Sequence, residues 1–241
     1  MPGSFHKMPL ILSLCCLATN GRAADKAVDR PVRKILFLGN SITRHSPKPS
    51  IGWTADWGMA ASARGKDFVH LVTGSISKTA GTAPEVMVRN IAGFERQYAS
   101  YVLDEQLKDA FQFRADLVVV AIGENVPRFD SEKSKTLFAD SFTKLLRRLQ
   151  ADNHPTIVVR SCFWANQAKD EILRQGCLKA GGIFVNIGKL GKDESNYARS
   201  ERKFSHKGVA AHPGDQGMQA IANAILGAIR QGRPTADGIS R

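Results

Sequence analysis

Residues 34–45, KILFLGNSITRH, decide how the rest of the chain is read. Residues 35–38 form an unbroken apolar run, the pattern of a strand covered on both faces. The run stops at Gly39, and the polar residues Asn40, Ser41 and Thr43 follow at its mouth. Open parallel sheets bind their ligands there, at the carboxyl ends of the strands. A serine in that position has two readings. It can be a nucleophile held up by a tight turn after the strand. It can equally be the N-cap of a following helix, a position that suits serine, threonine and asparagine alike. The stretch alone leaves the two level.

Working outward, the first strand spans about 33–39. Residues 53–63, WTADWGMAASA, predict a helix, and residues 68–73, β-branched and alternating, predict a second strand ending at Gly74. Residues 84–112 predict two or more helical pieces. DLVVVAIG over 116–123 is the clearest strand in the chain. A helix over 131–150 follows, capped by Asp130 or Ser131, with Phe138, Phe142, Leu145 and Leu149 on one face. TIVVRS predicts the next strand, 165–179 a helix, 183–187 a fifth strand, and 215–230 a last amphipathic helix after an irregular polar stretch. Strands alternating with helices imply a three-layer α/β/α sandwich around a five-stranded, mainly parallel sheet, occupying residues 33–230.

Hydrophobic content of 43% and charged content of 23% exclude a disordered chain. The N-terminus has the shape of a secretory signal peptide over 1–23: His6 and Lys7, a short apolar run, then Gly21 and Ala23. That run falls short of the roughly 20 apolar residues that a membrane span needs. An exported protein is expected, with 24–32 as a linker and 231–241 as a flexible tail. Cys15 and Cys16 leave with the signal. Cys162 and Cys177 remain, and two buried free thiols are the favoured reading over a disulfide. No zinc pattern is present, and neither a metal nor a cofactor is expected. The net charge is +12, and +10 once Lys7 and Arg22 are removed. The basic residues are scattered and no nucleic-acid-binding module stands out, so no nucleic-acid partner is expected. An acidic polysaccharide is one partner that such a surface suits.

Three polar clusters fall at strand ends or before the last helix: Gly39-Asn40-Ser41, Gly123-Glu124-Asn125 and His212-Pro213-Gly214-Asp215. In a doubly wound sheet these loops converge on one edge. Together they hold the parts of an acyl-transfer site. A serine hydroxyl needs a base to take its proton, and neutral imidazole is the natural one near pH 7. The tetrahedral intermediate needs fixed donors for its oxyanion.

These blocks resemble the SGNH (GDSL-type) hydrolase family: GNSIT at 39–43, Gly74 as the glycine block, GEN at 123–125 and HPGDQGM at 212–218, in order over about 33–230. The resemblance implies that Ser41 is the nucleophile and His212 the base. It also implies that Ser41, Gly74 and Asn125 donate to the oxyanion. Two departures stand out. Asn40 replaces an aspartate common in the family. Val209 stands three residues before the histidine, where the family usually has the aspartate that orients the imidazole. A backbone carbonyl near Val209 is the preferred replacement, with Glu124 or Asp215 as the others. The α/β-hydrolase elbow G-x-S-x-G is absent. The expected activity is a serine esterase removing short acyl groups, acetyl first, from carbohydrate. The rivals are a non-catalytic carbohydrate-binding protein and a lipase or thioesterase on the same fold. Trp53, Trp57 and Trp164 are either core or sugar-stacking residues.

Overall fold

The computed structural model describes residues 31–232 together with Met1. The expected signal peptide, linker and tail fall almost wholly outside those residues. β1 (Lys34–Gly39) leads through a long loop to α1 (Phe68–Ala80) and β2 (Glu85–Asn90). Three short helices follow: α2 (Ala92–Gln97), α3 (Leu103–Gln106) and α4 (Lys108–Gln112). Then come β3 (Leu117–Ala121), α5 (Glu132–Gln150), β4 (Thr156–Arg160), α6 (Gln167–Lys179) and β5 (Ile183–Val185). α7 (Ala198–Glu201), α8 (Lys207–Ala210) and α9 (Asp215–Gln231) complete the series.

The five strands pair in the order β2-β1-β3-β4-β5, every pair parallel. The order reverses between β1 and β3, and the crevice outside their carboxyl ends is where such sheets bind ligands. Alternate residues of each strand feed two cores. Ile35, Phe37, Leu117 and Val119 pack under α1 and α9, with Phe68, Val72, Ile221 and Ile225. Leu36, Leu38, Val118 and Val120 pack under α5 and α6, with Phe138, Phe142 and Leu173. This is the three-layer α/β/α sandwich that the sequence implies.

Three stretches differ from the sequence reading. Residues 68–73 begin a helix. Asp67 caps it by accepting from the His70 N–H, and Phe68, Val69, Val72 and Ile76 form its buried stripe. The second strand lies further on, at Glu85–Asn90, inside the stretch expected to be helical. β2 is an edge strand with no buried residue, so it lacks the apolar run that marks β1 and β3. Residues 53–63 form no α-helix; antiparallel bridges His45–Trp57 and Lys48–Trp53 fold the loop back on itself. Cys162 and Cys177 are free and buried. Burial pushes the Cys177 thiol up to about 11.

Candidate active site

No helix follows Ser41, so it is not an N-cap. The chain makes a turn instead: the Thr43 and Arg44 N–H groups both donate to Asn40 O at 3.0 Å. The turn presses against the strand it leaves. A Cβ on Gly39 would meet Thr43 Oγ1 at 1.9 Å, so glycine is the residue that fits there. The Asn40 side chain, fully buried, ties the turn together by accepting from the Ile42 N–H at 3.1 Å. Ser41 itself stays half-buried, its carbonyl held by the Met59 N–H at 2.8 Å.

His212 arrives from the other end of the chain, just before α9. Its Nε2 lies 2.8 Å from Ser41 Oγ. Its Nδ1 lies 2.7 Å from Gly208 O. A carbonyl only accepts, so Nδ1 carries the proton and the neutral ring turns the Nε2 lone pair to the serine hydroxyl. Gly208 O is free to do this because it sits in the last turn of α8, where no backbone N–H among the described residues claims it. Trp164 packs edge-on against the imidazole, centroids 5.5 Å apart. Burial holds the His212 pKa below the usual histidine value; the Gly208 carbonyl pulls it up and His45 pushes it further down.

Ser41, Asn125 and His212 line one cleft of about 290 Å³, with Ala92, Arg96 and Val209 among its other walls. Asn125 follows Gly123, whose φ of +125° makes the sharp turn off β3. Its side chain is gripped on both sides. Nδ2 donates to Glu95 Oε2 at 2.8 Å, and Oδ1 accepts from Arg96 Nη2 at 3.0 Å. One Nδ2 hydrogen is left over. The Ser41 N–H has no acceptor among the described residues.

Behind this wall lies a buried polar network. Glu95 Oε1 accepts from the Gly123 N–H at 2.6 Å, the Asn125 N–H at 3.1 Å and Asn40 Nδ2 at 3.2 Å. Glu124 Oε2 accepts from Asn40 Nδ2 at 2.6 Å, and its Oε1 pairs with Arg160 at 2.6 Å and takes the Phe163 N–H at 2.9 Å. Arg160 is wholly buried and Glu124 nearly so. Burial and the Glu124 charge raise the Glu95 pKa, whereas Arg160 keeps Glu124 low against its own burial. Asn40 thus bridges two carboxylates. An aspartate in its place would put a third like charge in contact with both.

Three expectations need correction. Gly74 lies in the middle of α1 and takes no part in the cleft. At the end of β2 the cleft is lined by Asn90 and Ala92, and the Ala92 N–H is already taken by Asn90 Oδ1 at 3.0 Å. Glu124 does not orient the histidine, because both its oxygens are used by Asn40, Arg160 and Phe163. Asp215 does not either; it accepts from the Ser62 N–H and Oγ at 2.7 and 2.5 Å. The carbonyl reading of the orienter agrees with the Gly208 contact. Sequence reading missed Glu95, though a signal was there. An acid beside Ile91, Ala92 and Phe94, all buried, marks a carboxylate turned inward. Trp53 is core, packed with Met59, Ala198 and Val209. Among the described residues no cluster of His, Cys, Asp or Glu suits a metal, and no helix is long and apolar enough to cross a membrane.

The sequence matches no family model and no curated protein. Solved structures match over the whole fold. A protein of Parabacteroides merdae described as a GDSL-like lipase aligns with a TM-score of 0.53 at 16% identity, over 84% of this chain and 98% of that one. A family two carbohydrate esterase from Cellvibrio japonicus aligns at 0.52 and 18%, over 84% of this chain and 62% of that one. A two-domain esterase active on acetylated mannans aligns at 0.52 and 16%, over 84% of this chain and 51% of its own length. The chain therefore spans little more than half of the two carbohydrate esterases. What it has in common with all three is the GDSL/SGNH hydrolase fold.

Proposed function

We propose that this chain is an exported serine esterase that removes short acyl groups, acetyl foremost, from carbohydrate. The single observation that carries the reading is the relay from Ser41 Oγ to His212 Nε2 at 2.8 Å, with Nδ1 on Gly208 O at 2.7 Å. In this mechanism Ser41 Oγ attacks the ester carbonyl as its proton passes to His212 Nε2. The imidazolium is steadied by its Nδ1–H bond to Gly208 O. The oxyanion receives the Ser41 N–H and the remaining Nδ2–H of Asn125. His212 returns the proton to the leaving alcohol, which departs and leaves an acyl-serine. Water, deprotonated by the same ring, releases the acid.

A small cleft favours a short acyl group over the chain of a lipase substrate. The mannan-active neighbour supports carbohydrate as the alcohol. Export rests on the N-terminal sequence pattern alone.

The test is turnover of a short nitrophenyl ester by the purified chain and by Ser41→Ala. A loss of about 10⁴-fold or more in kcat supports the esterase. Equal rates from the two proteins overturn it. The missing carboxylate behind His212 motivates a second reading, a non-catalytic carbohydrate binder on the same fold. That reading predicts no turnover by either form and saccharide binding that Ser41→Ala leaves in place. One neighbour is described as a carbohydrate esterase whose active site has divergent catalytic and non-catalytic binding functions.

A further inference from the structure

The titratable side chains lining the cleft around Ser41 are His45, Arg96, His206 and His212, and no carboxylate lines it among the described residues. His212 is held towards its neutral form by burial. His206 Nδ1 accepts the Gly208 and Val209 N–H groups, which leaves the ring proton of its neutral form on Nε2. Arg96 is the one guanidinium among the residues that line the cleft.

Arg96 is also unlike the other arginines that meet acids. Arg44 is clamped by Asp56, Arg160 by Glu124, Arg148 by Asp104 and Arg199 by Glu194. The Arg96 guanidinium donates only to the Asn125 amide oxygen among the described residues. The two acids behind it do not reach forward. Glu95 and Glu124 have both oxygens occupied by N–H donors, and neither lines the cleft. An exposed guanidinium with open donors therefore stands one side chain away from the amide that faces the ester.

We propose that Arg96 reads a carboxylate on the substrate, so that the ester removed is carried by an acidic sugar, a uronate, rather than a neutral one. This rests on the esterase reading and names its substrate class. The planar fork of arginine matches a carboxylate with two parallel hydrogen bonds. The net charge, +12 for the whole sequence and +10 once Lys7 and Arg22 are removed, adds a field that gathers an anionic polymer. A neutral sugar would leave the guanidinium to water.

The experiment compares two acetyl esters that differ only at C6: the methyl glycoside of acetylated glucuronate and that of acetylated glucose. Each is tested on the full chain, on Arg96→Gln and on Arg96→Lys, with kcat/KM as the readout. The full chain should prefer the uronate by about tenfold at low salt, with the preference shrinking as salt rises. Arg96→Gln should bring the ratio to about one, and Arg96→Lys should keep part of it. Any common loss through Asn125 cancels in the ratio. A ratio that is the same in the full chain and Arg96→Gln, with nitrophenyl acetate still turned over, overturns the proposal and spares the esterase. If no ester is turned over, the same glycoside pair is titrated by NMR. A uronate preference abolished in Arg96→Gln then upholds the recognition while the esterase fails, and its absence overturns both.

Discussion

Ser41 stands between two unlike walls. On one side is His212, held by a backbone carbonyl and the edge of Trp164, with no carboxylate in contact among the described residues. On the other is Asn125, backed by two buried glutamates, a buried arginine and Asn40. The family that the chain resembles usually puts an acid behind the base. Here the acids lie behind the amide. A carbonyl orients the imidazole as well as a carboxylate would, because either fixes the proton on Nδ1, but it brings no full charge to steady the imidazolium. The network behind Asn125 fixes the donors, and fixed donors are worth most where charge develops. The comparison teaches that orientation and charge are separable in such a site. This chain keeps orientation on the His212 side and concentrates charge behind Asn125.

The sharpest way to break the contrast is at the ion pair. Arg160→Met removes the charge that holds the buried Glu124 ionised against its own burial and leaves that carboxyl without its ion-pair partner. The expected cost is about 3–5 kcal/mol of folding stability, read from the denaturant midpoint. A change below about 1 kcal/mol would mean that the pair is not the anchor of this wall. Asn125→Ala removes the amide and leaves the histidine wall intact. It should lower kcat on a nitrophenyl ester by about 10²–10³ with KM little changed. An unchanged kcat would remove Asn125 from the oxyanion site.

The two walls also differ in how far the sequence exposes them. The meeting of Ser41, Asn125 and His212 in one cleft was legible because each adjoins an element with a clear pattern: Ser41 and Asn125 follow the apolar runs of β1 and β3, and His212 precedes the stripe of α9. β4, β5, α5 and α6 were legible for the same reason. The second strand was not. β2 lies exposed at the sheet edge, so Glu85–Asn90 carries mixed residues, and residues 68–73 took its place in the reading. The helix signals were present in Asp67 and in Gly81, whose φ of +70° closes α1, but Val69, Val72 and Thr73 look like a strand. That single exchange carried Gly74 into the predicted site. Glu95 was lost with it, because α2 begins only two residues after β2 ends. The Gly208 carbonyl was legible as a type of partner but not as a residue, since backbone groups leave no mark in a sequence.

Glu95→Gln sharpens the comparison without removing a side chain. The amide keeps the volume but turns one oxygen into a donor, which then faces Asn125 Nδ2 or the Gly123 and Asn125 N–H groups. Donor against donor frees the Asn125 side chain. A loss of about tenfold in kcat is expected. KM should hold, and so should stability, since the change also relieves repulsion with Glu124. A purely structural role predicts the reverse, lost stability with kcat kept.

The smallest effect lies on the histidine wall and is read from pH. Only neutral His212 can take the serine proton, so kcat/KM falls as pH drops through its free-protein pKa. Burial, then the His45 charge, set that pKa below the usual 6.5, while Gly208 O and the more distant Glu124 work against them. The acid limb should therefore lie below pH 6.5, with activity at a plateau above it. The same depression acts on folding: the unfolded chain binds the proton more readily, so this histidine's contribution to stability is present above the unfolded pKa and declines as pH falls below it. Circular dichroism across the range separates the two, since the activity limb belongs to His212 only where the chain remains folded. His45→Asn should move the limb upward, towards 6.5. A limb above 6.5 in the native protein would mean that a nearby negative charge, not burial, governs the base, and the contrast between the walls would then be lost.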